Sequence, residues 1–145
     1  MADSINIVLC DHHTFFRRAI HRLLDSIPAF EVIGEATDGE EAVRLVRDLK
    51  PTVAILETDM PKLHGIEATR QMTGLAAPPK VIILTMLSTR DLVFRAFEAG
   101  CVAFVHKAYV ADELIEAVHE AVAERWFLSE QLRLLQPELE ERYAG

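Results

Sequence analysis

The sequence predicts an α/β fold in which five parallel strands form one sheet with helices on both faces. Short apolar runs rich in valine and isoleucine alternate with longer segments whose apolar residues recur at helical spacing. The third and fourth apolar runs, 53–57 and 81–85, are almost continuously apolar, as in central strands that are covered on both sides. The length of 145 residues is that of about one domain.

The five β–α units are bounded by helix caps and prolines. Strands are predicted at 5–10, 31–36, 53–57, 81–85 and 103–106. Helices are predicted at 14–26, 39–48, 66–72, 89–99 and 112–125. Asp38 is placed to cap the second helix, with Glu41 three residues later as in a capping box. Gly100 is expected to end the fourth helix in the left-handed conformation.

A tail, residues 126–145, follows the fifth helix. Four leucines fall on one helical stripe, which Pro137 must interrupt or restart: Leu128, Leu132, Leu135 and Leu139. The stripe either packs onto its own domain, or forms a dimer contact, or belongs to a linker that leads to a further domain. The sequence leaves these three alternatives open.

The composition excludes several classes of protein. With 15 Lys and Arg against 23 Asp and Glu, the net charge of −8 argues against nucleic-acid binding by this chain itself. No apolar stretch reaches about 18 residues, and the N-terminus lacks the regions of a signal peptide, so we predict a cytoplasmic protein without membrane contact. Cys10 and Cys101 are expected to be buried, reduced thiols.

Polar side chains are expected to meet in one crevice, where the carboxyl ends of parallel strands converge. The first strand is followed by Asp11, the third ends in Glu57, the fourth ends in Thr85, and Lys107 follows the fifth. A carboxylate, a hydroxyl and an ammonium at neighbouring strand ends suit phosphoryl chemistry or its mimicry.

The chain resembles the receiver domain of two-component response regulators, in the NarL/FixJ-like branch that carries a LuxR-type helix-turn-helix. The resemblance covers about residues 5–125 and rests on the segments IVLCDHHTFFRRAIHRLL, EVIGEATDGEEAV, PTVAILETDMPKLHGIEATR, VIILTM and EAGCVAFVHKA. It implies a flavodoxin-like sheet with strand order 2-1-3-4-5. It also implies a receiver domain at 1–125 and a tail or linker at 126–145 that leads to a helix-turn-helix beyond Gly145.

The resemblance assigns roles to the acidic positions, and two of them depart from the family pattern. The family has two acidic residues after strand one that hold Mg²⁺; here the first is Asp11, but the second is His12. The phospho-acceptor aspartate of the family falls on Glu57. Asp59 stands where a backbone carbonyl usually helps to bind the metal. Because Mg²⁺ prefers oxygen ligands, we expect any Mg²⁺ binding to be weak, and we predict no other cofactor.

The remaining family positions match. Thr85 and Lys107 stand at the positions of the conserved hydroxyl and lysine of the family, and Phe104 stands at the switch aromatic. Glu57 is longer than aspartate by one C–C bond, about 1.5 Å. The resemblance therefore implies an atypical receiver, or pseudo-receiver, in which Glu57 is a standing mimic of the phosphorylated acceptor. The structural alternative is that Glu57 is only a strand-end acid paired with Lys107.

Histidines suggest a second use of the crevice. His12, His13 and His64 lie in loops at the crevice end of the sheet, and imidazole suits Zn²⁺, Ni²⁺ or Cu²⁺ better than Mg²⁺. A metal- or ligand-sensing module is therefore an alternative. His106 is expected to share a face with Phe104, on the surface of the fourth helix, fifth strand and fifth helix, through which receivers commonly contact partners.

Enzyme motifs are absent from the sequence, which has no GxGxxG, no Walker-type loop, no GxSxG and no CxxC. We therefore expect a non-enzymatic regulator that acts by self-association as a homodimer or by contact with a sensor kinase or another regulator. DNA would be contacted only by a domain that is absent from this chain. A receiver that still accepts phosphate, with weak Mg²⁺ dependence, is the alternative.

Overall fold

Six parallel strands form one sheet, in the order β2-β1-β3-β4-β5-β6, in the computed structural model, which describes residues 4–144. The strands are β1 (Ile5–Cys10), β2 (Phe30–Ala36), β3 (Val53–Leu56), β4 (Lys80–Thr85), β5 (Ala103–His106) and β6 (Phe127–Leu128). The helices are α1 (Thr14–Asp25), α2 (Gly39–Leu49), α3 (Gly65–Thr73), α4 (Arg90–Ala99), α5 (Val110–Val122) and α6 (Gln136–Tyr143). Short 3-10 segments, Lys107–Tyr109 and Glu130–Leu135, precede α5 and α6. The predicted α/β class and the order of the first five strands are confirmed.

The sixth strand corrects the expectation of a five-stranded sheet. It has only two residues, too few to show a period-2 pattern in the sequence. It pairs with β5 through a hydrogen bond from the backbone N–H of Phe127 to the oxygen of Val102, at 3.0 Å, and one from Ser129 to Phe104, at 2.9 Å. The fifth helix correspondingly ends at Val122, earlier than predicted, because the chain must turn back toward the sheet and Glu124 takes a positive φ of 61° there.

Apolar side chains alternate between the two faces of the sheet and form two layers of core. From β1, Val8 and Cys10 face the layer formed with α2, α3 and α4, whereas Ile7 and Leu9 face the layer formed with α1 and α5. Both cysteines are buried and free, as predicted, and burial raises the pKa of each thiol. Within residues 4–144, no helix is both long enough and apolar enough to cross a bilayer.

The helix caps and the proline singled out in the sequence lie at helix ends. The carboxylate of Asp38 accepts the backbone N–H of Glu41 at 2.8 Å. The Glu41 carboxylate accepts the N–H of Thr37 at 2.8 Å, one residue before the cap, so the capping box is shifted by one position. Gly100 ends α4 with φ of 110°, as predicted, and Pro137 lies in the first turn of α6.

The tail packs onto its own domain in this structure. Leu128 and Leu139 are almost completely buried, and Leu132 is 8% exposed. On α4, the guanidinium of Arg90 donates to both carboxylate oxygens of Glu138, at 2.9 and 2.7 Å. Strand β6 therefore occupies the edge of β5, and α6 lies against α4. The stripe of leucines is thus explained by packing within the chain, and the linker to a further domain stays a prediction.

A buried carboxylate anchors the start of the tail. Glu113 of α5 is 9% exposed and accepts hydrogen bonds from the Ser129 hydroxyl at 2.5 Å and the Glu130 backbone N–H at 3.0 Å. The Ser129 oxygen in turn accepts the backbone N–H of His106 at 2.8 Å. The tail is therefore tied to the residue that precedes Lys107 in the chain.

Candidate functional site

The polar residues predicted at the strand ends do meet at one edge of the sheet. Because β1, β3, β4 and β5 are adjacent and parallel, their carboxyl ends lie side by side. Asp11 follows β1, Glu57 follows β3, Thr85 ends β4, and Lys107 follows β5. All four are buried, with 6% exposure or less.

Lys107 joins the two buried carboxylates. Its Nζ lies 2.8 Å from Asp11 Oδ2 and 2.5 Å from Glu57 Oε2. The ammonium also lies 4.2 Å from the centre of the Phe16 ring, which covers it from the side of α1. One cation therefore serves two anions, and these three groups together carry a net charge of −1.

The second oxygen of Glu57 is also engaged. Oε1 accepts the backbone N–H of Thr58 at 2.8 Å, the Thr58 hydroxyl at 3.1 Å and the N–H of Asp59 at 3.3 Å. The hydroxyls of Thr58 and Thr85 lie 2.9 Å apart, and the Thr85 oxygen accepts the N–H of Leu87 at 3.2 Å. Since the Thr58 proton points to Glu57, Thr85 donates to Thr58. A hydrogen-bonded chain therefore links the carboxylate to the β4–α4 loop.

Thr58 was not identified from the sequence. It is fully buried and stands between Glu57 and Thr85, so the predicted approach of these two residues is mediated by a third. A hydroxyl residue directly after an acid at a strand end is the signal that could have indicated it.

The pKa of the Glu57 carboxyl is lowered. Burial acts to raise this pKa, but the hydrogen bond from Lys107, its positive charge and the backbone N–H of Asp59 act to lower it, and the lowering effects prevail. Glu57 is therefore ionised at neutral pH.

Above these buried groups lies an open crevice of about 310 Å³. Its rim includes the exposed side chains of Met86 and Leu87, from the loop after β4. The crevice is lined by His13, Phe16, Glu57, Asp59, Thr85, Met86, Leu87 and Lys107. Asp59 is exposed at this rim, as expected for a residue in the loop after β3.

The loop after β1 brings Asp11 beside two histidines. Asp11 Oδ1 accepts the backbone N–H of His13 at 2.8 Å, and the Arg17 guanidinium donates to the backbone oxygen of Asp11 at 2.8 Å. His12 is half-buried, and its Nδ1 atom is buried without a hydrogen-bond partner among the described residues.

Two other predicted residues have local structural partners. His64 caps α3, because its Nδ1 accepts the N–H of Ile66 at 3.1 Å. His106 accepts the N–H of Ala108 through Nδ1 at 3.0 Å and is half-buried. Of His12, His13 and His64, which the sequence placed at the crevice end, His13 lines the crevice and the other two are not among its lining residues.

Phe104 has no exposed surface. It belongs to the core layer that also contains Leu128 and Leu132 of the tail. The face of α4, β5 and α5 on which the sequence placed His106 is thus partly covered by the tail. The switch role of Phe104 stays a prediction.

The acidic positions do not fit a Mg²⁺ site of the kind that the resemblance implies. Mg²⁺ demands near-octahedral oxygen ligands. His12 offers nitrogen in place of a carboxylate oxygen, and Lys107 occupies the space between Asp11 and Glu57. The remaining Glu57 oxygen faces N–H and O–H donors. The weakness of Mg²⁺ binding stays a prediction.

Comparisons with known proteins agree with the fold. A family model described as the response regulator receiver domain matches residues 7–119. The transcriptional regulatory protein LiaR of Bacillus subtilis is 38% identical over 117 residues, which are 81% of this chain and 56% of LiaR. A protein-glutamate methylesterase/protein-glutamine glutaminase of Geobacter sulfurreducens is 40% identical over 124 residues, which are 82% of this chain and 33% of that protein. The chain spans about half the length of the first curated relatives that it matches.

A solved structure extends the likeness to the tail. The crystal structure of a LuxR-family two-component response regulator from Aurantimonas has a TM-score of 0.86 and 30% identity, and the match covers 99% of this chain and 100% of that one. The family match spans the strand ends that carry the buried acids and Lys107. This chain therefore belongs to the response regulator receiver domain family, with relatives among the LuxR-type regulators.

Proposed function

We propose that this receiver domain works without accepting a phosphoryl group, and that Glu57 is a standing substitute for the phosphorylated acceptor. The observation that carries the proposal is the buried Glu57 carboxylate, with one oxygen on Lys107 and the other on Thr58. A lysine and a hydroxyl are the groups that suit a phosphoryl anion. Here a side chain of the protein already occupies both.

The charge and the length of the Glu57 side chain explain how glutamate, in place of aspartate, acts as a substitute for a phosphoryl group. A phosphoryl group adds about −1.5 to −2 charge, whereas Glu57 supplies one negative charge permanently. The extra methylene carries that charge away from the main chain and into contact with Lys107. The same displacement works against phosphoryl transfer, since a shift of about 1 Å in a reacting group can cost on the order of a hundredfold in rate.

The output that we propose is self-association as a homodimer or contact with a partner regulator. LiaR is a transcriptional regulatory protein about twice as long as the matched segment, and we propose that this chain likewise serves a regulator whose helix-turn-helix lies outside residues 1–145. The net charge of −8 supports DNA contact through such a domain alone. We propose no enzymatic activity, since the methylesterase match covers only 33% of that protein.

One observation supports the alternative of a receiver that still accepts phosphate. Asp59 is exposed and lines the crevice, so a phosphate donor could reach its carboxylate. In this alternative Asp59, rather than Glu57, is the acceptor, and Lys107 lies in the same crevice. Weak dependence on Mg²⁺ is expected here as well.

Sedimentation velocity over a concentration series tests the proposed output. We expect reversible dimerisation of the unmodified chain and weaker dimerisation of Glu57→Gln, because the glutamine keeps the shape but removes the charge that holds Lys107. Glu35→Gln, which alters a partly exposed carboxylate on β2, is the matched control and should behave like the unmodified chain. Identical association of all three proteins would remove Glu57 from the mechanism, and a monomer at every concentration would remove the homodimer.

A further inference from the structure

The loop after β1 contains ligand-type groups that the proposed function does not use. From the donor set and its surroundings we propose that Asp11, His12 and His13 form a binding site for a divalent cation that prefers imidazole, with Zn²⁺ as the representative ion. Through this site a metal ion would regulate the receiver, in place of the Mg²⁺ that does not fit its acidic positions. It lies beside the Glu57–Lys107 pair but does not depend on the role proposed for Glu57.

The three side chains already lie close together. Each offers one ligand atom, and these atoms all lie within 4.8 Å of one another. Ligands of a tetrahedral Zn²⁺ ion bind at about 2.0–2.2 Å and so lie roughly 3.3–3.6 Å from one another, which means that the set must contract by up to about 1.5 Å around an ion. The His13 side chain is 61% exposed, so its ring can rotate toward the ion without disturbing the core.

An unpartnered nitrogen is the second, independent observation. Nδ1 of His12 is buried and has no hydrogen-bond partner among residues 4–144. A buried polar atom without a partner costs free energy, and such atoms are rare in folded proteins. A metal ion bound to Nδ1 would give this atom a partner and so offset the cost.

The two oxygens of Asp11 divide between separate partners. Lys107 lies on Oδ2, at 2.8 Å, whereas Oδ1 faces His13, with the ring Nδ1 at 3.5 Å. Oδ1 also accepts the His13 N–H but retains a second lone pair. The ammonium is therefore on the opposite oxygen from the proposed ion.

Charge favours a dication at this place. Asp11 and Glu57 together carry two negative charges against one positive charge on Lys107, and Asp59 adds a further carboxylate at the rim. One carboxylate and two imidazoles are the donor types of many three-ligand zinc sites that leave a fourth position open to water or a partner. Such a set selects against Mg²⁺.

Isothermal titration of the full chain, freed of metal by a chelator and dialysed, tests the proposal with Zn²⁺ and Mg²⁺. We expect one Zn²⁺ ion per chain and much weaker binding of Mg²⁺. His12→Gln and the surface variant His13→Gln should each lower the Zn²⁺ affinity by more than the roughly 10–100-fold that the loss of an outer-shell partner costs, because each loses a direct ligand. His13→Gln removes only an exposed ring and keeps the test valid if His12→Gln fails to fold.

A matched control is available on α1. His21 lies between two carboxylates, 2.8 Å from Glu35 and 3.2 Å from Asp25, so it is a comparable surface group outside the proposed site. His21→Gln should leave Zn²⁺ affinity unchanged, and Co²⁺ should give the visible absorption of a tetrahedral site that is lost in His13→Gln. Absence of saturable Zn²⁺ binding, equal affinity for Mg²⁺, or unchanged Zn²⁺ affinity in His13→Gln would overturn the proposal.

Discussion

Among the single residues of the crevice, Lys107 determines the balance of charge. Its ammonium and the carboxylates of Asp11 and Glu57 are all withdrawn from water. A buried ion pair adds little net stability, because desolvation opposes attraction, but removal of one partner leaves an uncompensated charge. The contribution of this cluster to the free energy of unfolding is therefore seen most clearly when the cation is removed.

Lys107→Met should destabilise the fold by about 3–5 kcal/mol, because two carboxylates would then face each other without a cation. Arg125→Met is the control, since Arg125 pairs with Glu120 at the surface, where solvent screens the interaction. Urea unfolding followed by circular dichroism measures both changes. Equal losses of stability in the two variants would show that the buried cluster has no special weight.

The lowered pKa of Glu57 gives a prediction about pH. A carboxyl group that is more acidic in the folded chain contributes stability that is present above its unfolded pKa of about 4.5 and lost as pH falls through the folded value. The free energy of unfolding should therefore decrease below about pH 4.5, and decrease less steeply in Glu57→Gln. Urea unfolding at a series of pH values measures both slopes. Parallel slopes would contradict the assignment, since the other carboxyl groups are the same in both proteins.

The position of Glu57 depends on how the loop between β3 and α3 packs against the start of α3. A Cβ atom on Gly65 would lie 2.2 Å from the backbone oxygen of Glu57 and 2.7 Å from Thr58 Cα. The N–H of Gly65 also donates to the backbone oxygen of Thr58 at 2.7 Å. The start of α3 thus lies directly against the segment that holds the acidic side chain, and only glycine allows this approach.

Gly65→Ala should lower stability by about 1–3 kcal/mol, because the backbone of residues 57–58 must move to accept the methyl group. Gly74→Ala, at the other end of α3, is the matched control, since its nearest neighbours would lie at 3.6 Å in ordinary contact. Thermal unfolding of both variants measures the difference. A Gly65→Ala protein as stable as Gly74→Ala would show that the close approach does not constrain the site.

Local signals predicted most of the elements, and their failures have local causes. Caps at Asp38 and Gly100 and the apolar runs identified the strands and most helix ends, because these signals act within a few residues. The two-residue strand β6 was not predicted, because its extended shape depends on hydrogen bonds to residues 102 and 104, far away in the sequence. No period-2 pattern can indicate so short an edge strand.

The location of the candidate site was predictable because the topology of the whole sheet brings its residues together. Once strands β1, β3, β4 and β5 are parallel neighbours, the residues at their ends must converge, as Asp11, Glu57 and Lys107 do. The sequence could not show which of these side chains form hydrogen bonds or ion pairs with one another. Thr58 stands between Glu57 and Thr85, and the tail covers Phe104, through tertiary packing that no local pattern encodes.

Intact-mass spectrometry after incubation with acetyl phosphate and Mg²⁺ tests most directly whether Glu57 is a permanent carboxylate at the position that the family resemblance assigns to a phospho-acceptor aspartate. The unmodified chain should gain no phosphoryl group. The double variant His12→Asp/Glu57→Asp, which restores two acidic positions and shortens the acceptor, should gain one. Gain of a phosphoryl group by the unmodified chain, and its loss in Glu57→Ala, would contradict the claim. Gain that survives in Glu57→Ala but is lost in Asp59→Asn would assign the acceptor role to Asp59.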